Sequence, residues 1–207
     1  QRDEVVAARF PRDVLRFGMA RTYFAPAHPD CIMARKPGVA LDRIIIHTME
    51  GTFGGSLAWF QQGKDKPGRA VPTAAHYLVG RNGDVCQMVP DDQKCYHAGN
   101  YNSRSIGIEH EARIASWPVR RLANGAIKPP PYPAMEFPAA MLSASARVVA
   151  ALCAKYGIPA DREHIIGHNE VPGATHTDPG PAFPWADFMG RLAGSIPALG
   201  STDGGTL

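Results

Sequence analysis

Residues 164–180 read HIIGHNEVPGATHTDPG, and residues 41–47 read LDRIIIH. Each stretch contains a short apolar run with β-branched residues, typical of a buried strand, and each run ends in a histidine. In 164–180 the strand leads into a loop marked by glycine and proline, which carries His176 and Asp178. Zinc is held by nitrogen, sulfur or carboxylate ligands that converge on one point, and a catalytic site leaves one position open. The two stretches therefore predict a metal-dependent hydrolase.

The overall composition is ordinary for a soluble globular protein. The 207 residues are 44% hydrophobic and 20% charged, and this length fits one domain with a substantial core. The net charge of +3 suits an anionic polymer such as a cell wall but is too small to indicate a nucleic-acid partner. No apolar run approaches the roughly 18–20 residues that a membrane helix needs. The chain opens at Gln1 without a signal peptide, which is expected of a processed or trimmed chain and leaves secretion open.

The four cysteines allow two interpretations. They form no C-x-x-C motif, so a thiolate zinc ribbon is not expected. An even number permits two disulfides, and Cys86 and Cys95 are the best candidate pair, because they lie on neighbouring apolar stretches joined by a short polar link. The alternative is that all four are buried thiols, which pack as small hydrophobic side chains.

Strand and helix patterns alternate through most of the chain, which predicts an α/β fold. Asn82-Gly83 lies between two apolar runs and is a strong hairpin signal. Ser56 is expected to cap a short helix, and Gly157 is expected to end the longest one. The expected strands are 41–47, 76–80, 84–89, 94–99, 105–111 and 164–168, and the expected helices are 56–62, 138–156 and 185–192.

Three segments flank or interrupt this pattern. Residues 1–40 are expected to form a lead-in segment packed on the domain, with one short helix near 13–21. Residues 113–138 contain repeated prolines and predict a long irregular loop, of the kind that is usually functional or mobile. Residues 196–207 predict a flexible tail. The catalytic domain is accordingly expected to span 41–195.

Spacing alone leaves the ligand set partly open. His164 and His168 are four residues apart, but in a strand their side chains would lie roughly 13 Å apart, too far to share a metal. Either His176 or Asp178 can supply a third ligand, and the residues do not decide between them. If the carboxylate binds the metal, the histidine is free to donate a hydrogen bond to developing negative charge.

Glu109 is the candidate general base. It lies in the otherwise apolar run 106–109, where a buried carboxylate is costly unless it is paired or functional. Beside a metal site it would take a proton from the attacking water. The alternative is a glutamate on the solvent face of the strand, and Glu111 fits that alternative better.

Four stretches carry a resemblance to a known family: 44–51 (IIIHTMEG), 75–83 (AHYLVGRNG), 96–109 (YHAGNYNSRSIGIE) and 167–184 (GHNEVPGATHTDPGPAFP). The chain resembles the zinc-dependent N-acetylmuramoyl-L-alanine amidases of type 2, which share their fold with peptidoglycan recognition proteins. The resemblance covers most of the domain. It implies a single α/β domain with a central mixed β-sheet flanked by helices, and a zinc site at one end of the sheet.

The resemblance also implies chemical roles. It makes His47, His168 and Asp178 the ligands of one zinc ion per chain. It makes Glu109 the residue that activates the water. His176 stands where many members have a lysine, and its N–H would stabilise the oxyanion.

Substrate contacts are implied at four further positions. His76, His97 and Asn102 stand where the family lines its cleft. Arg104, or an arginine of the 113–138 loop, is expected to bind a carboxylate of the stem peptide.

The function implied by the resemblance is hydrolysis of the amide bond between N-acetylmuramic acid and L-alanine, in peptidoglycan or in soluble muropeptides. The alternative is a non-catalytic peptidoglycan-binding recognition module, but the complete ligand set favours the enzyme. An unrelated zinc peptidase would need an H-E-x-x-H helix or its equivalent, which is absent from the sequence. We expect a monomer with no nucleic-acid partner and no membrane span. An extracytoplasmic (secreted or periplasmic) or phage-lysin role is favoured over cytoplasmic muropeptide recycling.

Overall fold

The fold centres on a mixed six-stranded β-sheet. The computed structural model describes residues 21–65, 67, 71–114 and 137–196. Within these residues the main sheet has the strand order β1-β5-β4-β7-β3-β8, and a separate two-stranded sheet joins β2 and β6. The strands are β1 Thr22–Phe24, β2 Met33–Ala34, β3 Arg43–Thr48, β4 Tyr77–Val79, β5 Val85–Gln87, β6 Gln93–Lys94, β7 Ser105–His110 and β8 Ile165–Gly167.

The strand directions bring three chain segments to one edge of the sheet. β4, β7, β3 and β8 are parallel neighbours, and β5 runs antiparallel to β4 as the expected hairpin. The carboxyl ends of parallel strands meet at the same edge of a sheet. The residues at the ends of β3 and β7 and those just after β8 therefore lie close together.

Within the described residues three α-helices pack on the sheet: α1 Phe53–Phe60, α2 Ala139–Tyr156 and α3 Trp185–Ser195. Ile44 and Ile46 of β3 pack in the core formed with α2 and α3, whereas Ile45 belongs to a smaller cluster. Because side chains alternate between the two faces of a strand, His47 lies on the face of Ile45, away from α2 and α3. The apolar helix α2 has a mean hydropathy of 1.2 and is 56% buried within the domain, as expected of a core helix.

Two local predictions are wrong. α1 begins at Phe53, because Thr52 rather than Ser56 caps it, accepting a hydrogen bond of 3.1 Å from the main-chain nitrogen of Gly55. The run 94–99 contributes only its first residue to a strand, and that strand, β6, pairs with β2 outside the main sheet. By contrast, α2 ends at Gly157 as expected, with a φ of 67° that favours glycine.

All four cysteines are buried, and the structure joins none of them in a disulfide. The sulfur of Cys86 lies 3.6 Å from the Gln87 carbonyl oxygen, and that of Cys95 lies 3.7 Å from Nδ1 of His76. Of the two interpretations, the candidate Cys86–Cys95 disulfide is therefore wrong, and that of four buried thiols holds.

Some expectations fall on residues that the structure does not describe. These are the helix near 13–21, apart from Arg21, most of the 113–138 loop and most of the 196–207 tail. In the described part of the lead-in segment, β1 forms one edge of the main sheet by pairing with β5. The limits of the catalytic domain, 41–195, stay a prediction.

Candidate active site

A cleft of about 730 Å³ opens where the carboxyl ends of β3, β7 and β8 meet. His47 comes from the end of β3, Glu109 from the end of β7, and His168 directly follows β8. Asp178 lies in the loop beyond His168. The parallel sheet thus brings together side chains that are more than 100 positions apart in sequence.

His47, His168 and Asp178 form a tight, buried cluster. Nδ1 of His47 lies 3.1 Å from Oδ2 of Asp178, and Nδ1 of His168 lies 3.1 Å from Oδ1 of the same carboxylate. One ligand atom from each residue lies within 4.8 Å of the others. Burial alone would raise the pKa of the Asp178 carboxyl, but the hydrogen bonds and charges of the two histidines outweigh burial and hold it well below the ordinary range.

The charge of the cleft fits a bound cation. Glu50, Glu109 and Asp178 all line it, whereas no lysine or arginine does so among the described residues. Buried carboxylates are stable when they are paired with a cation or coordinate a metal. Two imidazoles and a carboxylate are also the donor set that zinc takes in many hydrolases. The residues present therefore fit a divalent metal ion.

Glu109 is adjacent to this cluster, on the neighbouring strand β7. β3 and β7 pair in parallel with His47 opposite Glu109, so both side chains point to the same face of the sheet. Oε2 of Glu109 is buried and has no hydrogen-bond partner among the described residues. Burial, together with the charges of Asp178 and Glu50, raises the pKa of this carboxyl well above its ordinary value.

His176 lies at the rim of the cleft. Its side chain is 65% exposed, and its ring stacks on that of His168 at 4.6 Å between centroids. Its Nδ1 is 3.8 Å from Oδ1 of Asp178, which itself faces both His47 and His168. Of the two possible third ligands, the structure places Asp178 in the cluster and leaves His176 beside it.

A model of the N-acetylmuramoyl-L-alanine amidase family matches residues 37–181, which is most of the chain and includes the whole cluster. The chain belongs to this family. Amidase A of Achromobacter lyticus is 32% identical over 169 residues, covering 73% of this chain and 82% of that protein. The 1,6-anhydro-N-acetylmuramyl-L-alanine amidase AmpD of Salmonella typhimurium is 32% identical over 128 residues, covering 58% of this chain and 57% of that protein.

Solved structures show the same amidase fold. A selenomethionine AmpD structure superposes with a TM-score of 0.60 at 24% identity, over 87% of this chain and 96% of that chain. The amidase AmiD of Escherichia coli, solved with anhydro-N-acetylmuramic acid-L-Ala-D-γ-Glu-L-Lys, gives a TM-score of 0.55 at 25% identity. That match covers 79% of this chain and 62% of the AmiD chain. The expected α/β fold of the amidase family is therefore confirmed.

Two of the residues expected to contact the amidase substrate do line the cleft. His97 lies against the metal cluster, with its Nδ1 3.1 Å from Nε2 of His47. Asn102 accepts hydrogen bonds from the main-chain nitrogens of His97 and Ala98, at 2.9 and 2.7 Å. Asn102 therefore shapes the cleft wall with its carbonyl oxygen.

The other two expected substrate contacts of this amidase-family chain lie elsewhere. His76 is fully buried beneath the cleft, where its Nδ1 accepts a hydrogen bond of 3.0 Å from the nitrogen of Gly107. Arg104 forms a two-point ion pair with Asp42, including an Nε to Oδ1 bond of 2.7 Å, and does not line the cleft. One side chain is enclosed in the core and the other is bound to a carboxylate of the chain itself, so neither lines the cleft, and the substrate contacts of His76 and Arg104 stay predictions.

Sequence reasoning missed two residues that shape the amidase cleft. Glu50 lines it and has a φ of 51°, a strained backbone conformation for a residue other than glycine. Its carboxylate accepts a hydrogen bond of 3.1 Å from the nitrogen of Ile114. Arg35 donates to the carbonyl oxygens of Asn102 and Ser105, at 3.3 and 2.9 Å, and so ties the cleft wall to β7. A single arginine in an aperiodic segment carries no sequence signal for such a role.

Proposed function

We propose that the chain is a zinc-dependent amidase that hydrolyses the bond between N-acetylmuramic acid and L-alanine in peptidoglycan or muropeptides. The observation that carries this proposal is the buried cluster of His47, His168 and Asp178, beside which Oε2 of Glu109 is buried with no hydrogen-bond partner among the described residues. The named amidases among its relatives support the same substrate class. A recognition module without catalysis has no need for a buried carboxylate that lacks a partner.

The three clustered side chains are the proposed zinc ligands. When bound, zinc lowers the pKa of water and polarises the substrate carbonyl. Asp178 faces both imidazoles, so it holds their Nδ1 atoms toward one point. A metal binds imidazole and carboxylate ligands in their deprotonated forms.

Glu109 is the proposed general base and, later in the reaction, the general acid. It takes a proton from the attacking water, whose oxygen forms a bond to the lactyl carbonyl carbon. It then delivers the proton to the nitrogen of L-alanine as the carbon–nitrogen bond breaks. The products are the free lactyl carboxylate and a stem peptide with a new amino terminus, so no other reactant is needed.

His176 is proposed to stabilise the developing oxyanion. Its ring stacks on His168 at the mouth of the cleft, where an N–H can reach a substrate carbonyl oxygen. Its high exposure means that it contributes little to holding the fold together.

The cysteines no longer bear on where the enzyme acts. An extracytoplasmic or lysin role stays the prediction, together with a monomeric state. The absence of disulfides among the four cysteines removes the argument for an oxidising compartment. The relatives include amidase A and AmpD proteins of bacteria, so both wall-associated and soluble substrates belong in the test.

The test is release of stem peptide from purified peptidoglycan and from a synthetic muropeptide. We expect peptides with a new L-alanine amino terminus, lost after treatment with a chelator and restored by zinc. Binding to the wall without cleavage, in the presence of zinc, would overturn the enzyme and support the recognition module.

A further inference from the structure

Both ring nitrogens of His47 have a neighbour in the structure. Nδ1 faces Oδ2 of Asp178 at 3.1 Å, and Nε2 faces Nδ1 of His97 at 3.1 Å. A neutral imidazole carries one proton, on one nitrogen only. The position of that proton decides which nitrogen of His47 has a lone pair for a metal.

Ser105, which contacts His97 on the side away from His47, decides which atoms donate in these hydrogen bonds. The hydroxyl of Ser105 donates its only proton to the carbonyl oxygen of Tyr101, at 2.6 Å. Oγ of Ser105 must therefore accept from Nε2 of His97, 3.2 Å away. With its proton on Nε2, His97 presents an unprotonated Nδ1, which accepts from Nε2 of His47. The Tyr101 carbonyl thus fixes the tautomer of His97, and His97 in turn fixes that of His47.

This arrangement leaves two acceptors facing each other. With Nδ1 of His47 unprotonated, its lone pair and the Asp178 carboxylate 3.1 Å away would both be available to one cation, whose charge would take the place of the proton that joins them by a hydrogen bond in the metal-free cluster. The hydrogen bonds of Ser105 and His97, which lie outside the cluster, therefore favour the form of His47 with Nδ1 unprotonated.

We propose that His97 and Ser105 are positioning residues, which hold His47 in the tautomer that presents Nδ1 to a metal ion. The inference rests on the proposed function, because it assumes that the cluster binds zinc. Hydrogen bonds of this kind orient metal ligands, and their loss weakens metal binding by about 10–100-fold.

The packing around His97 supports a fixed ring. A Cβ on Gly107 would lie 2.5 Å from Nδ1 of His97, so the ring rests directly on the backbone of β7. The main-chain nitrogen of His97 is held by Asn102 Oδ1 at 2.9 Å. Any side chain at position 107 would displace the ring from this position.

The experiment measures zinc affinity by competition with a chromophoric chelator. We expect His97→Ala to weaken zinc binding by about 10–100-fold, and His97→Asn, which keeps an acceptor near the position of Nδ1, to recover much of the loss. Ser105→Ala is expected to cause a smaller loss in the same direction. Cys86→Ala is the matched control, because this side chain is buried, contacts the carbonyl oxygen of Gln87 and belongs to no group of possible metal ligands among the described residues.

A second readout does not depend on zinc or on activity. Nitrogen-15 NMR of the metal-free protein is expected to show His97 protonated at Nε2 and unprotonated at Nδ1. In Ser105→Ala this preference is expected to weaken, whether or not zinc affinity changes enough to measure.

The outcomes separate the two proposals. If the wild-type protein binds no zinc, the proposed function fails. If the wild-type protein binds zinc while His97→Ala and Ser105→Ala bind it equally well, the positioning role is overturned and the proposed function stands. Protonation of His97 at Nδ1 in the wild-type protein would also overturn the positioning role, even if His97→Ala does not fold.

Discussion

Replacing Glu109 with glutamine should strongly lower kcat and, in the metal-free protein, increase stability at neutral pH. Oε2 of Glu109 is buried and has no partner in the part of the chain that the structure describes, and burial raises the pKa of the carboxyl well above its ordinary value. The folded chain therefore disfavours the ionised form, whereas the unfolded chain ionises freely. Glutamine has nearly the same shape and does not ionise.

The size of the effect follows from the pH interval. For an acid whose pKa is raised by folding, the stability contribution is full below the unfolded pKa and is lost as pH rises toward the folded pKa. From the ordinary glutamate value of 4.5 to pH 7, the loss is at most about 3 kcal/mol, at about 1.4 kcal/mol for each pH unit. Glu109→Gln should therefore gain up to about 3 kcal/mol of unfolding free energy over the wild type between pH 4.5 and pH 7. Loss of the general base should lower kcat by about 10²–10⁴-fold.

The assay is denaturant unfolding of both metal-free proteins across this pH range, with muropeptide hydrolysis by the zinc-loaded forms. Glu111→Gln is the control. Glu111 lies two residues further along and binds the main-chain nitrogens of Phe53 and Arg81, at 2.8 and 3.0 Å, outside the cleft. The Glu111→Gln variant should retain activity, because this side chain lies outside the cleft, and should have a lower free energy of unfolding, because it loses charge-assisted hydrogen bonds. A stability difference for Glu109→Gln that does not change with pH would refute the desolvation argument, and activity within tenfold of wild type would refute the base assignment.

Three further predictions follow from the same structure. Free zinc at 100 times its dissociation constant should raise the free energy of unfolding by about 2.7 kcal/mol, seen as a higher Tm that a chelator reverses; an unchanged Tm would contradict the cluster as a zinc site. Burial, reinforced by the charge of Arg35, lowers the pKa of His76 to about 3, so its contribution to stability is full above pH 6.5 and is lost as pH falls toward 3. The wild type should lose about 2 kcal/mol from this residue between pH 6.5 and 4.5, and urea titrations should show a smaller acid loss in His76→Gln. His176→Ala should lower kcat by about tenfold or more without lowering Tm, because the side chain is 65% exposed, and His176→Lys should retain more activity; equal kcat in all three proteins would exclude the oxyanion role.

Much of the fold could be predicted because strong local patterns coincide with it. The apolar run that became β3, the hairpin at Asn82-Gly83 and the long helix α2 each have a signal within the segment. β1 has none, since three residues at a sheet edge gain their pairing from β5, far along the chain. The predicted start of α1 is wrong for a similar reason. Thr52 and Ser56 are both suitable N-cap residues, and contacts with the rest of the domain select Thr52.

The candidate site also has features that could be predicted from the sequence and features that could not. The family resemblance supplied the ligand set, and the structure brings those residues together. The resemblance could not show that His76 is enclosed in the core or that Arg104 is bound by Asp42, because both depend on contacts between distant segments. The contacts of Arg35 with main-chain carbonyls were equally invisible, since any sequence provides such carbonyls.

The acidic lining of the cleft favours binding of the metal ion before binding of the substrate. The ionised Asp178 carboxylate, with no described lysine or arginine in the lining, makes a metal-free cleft repel anions, and the stem peptide of a muropeptide carries carboxylates of its own. Metal loading would then reverse the local potential before substrate arrives, so the metal-free protein should associate poorly with muropeptides and the loaded protein readily. Metal supply in the surroundings would thereby govern when the cleft can be occupied, as well as how fast an occupied cleft turns over.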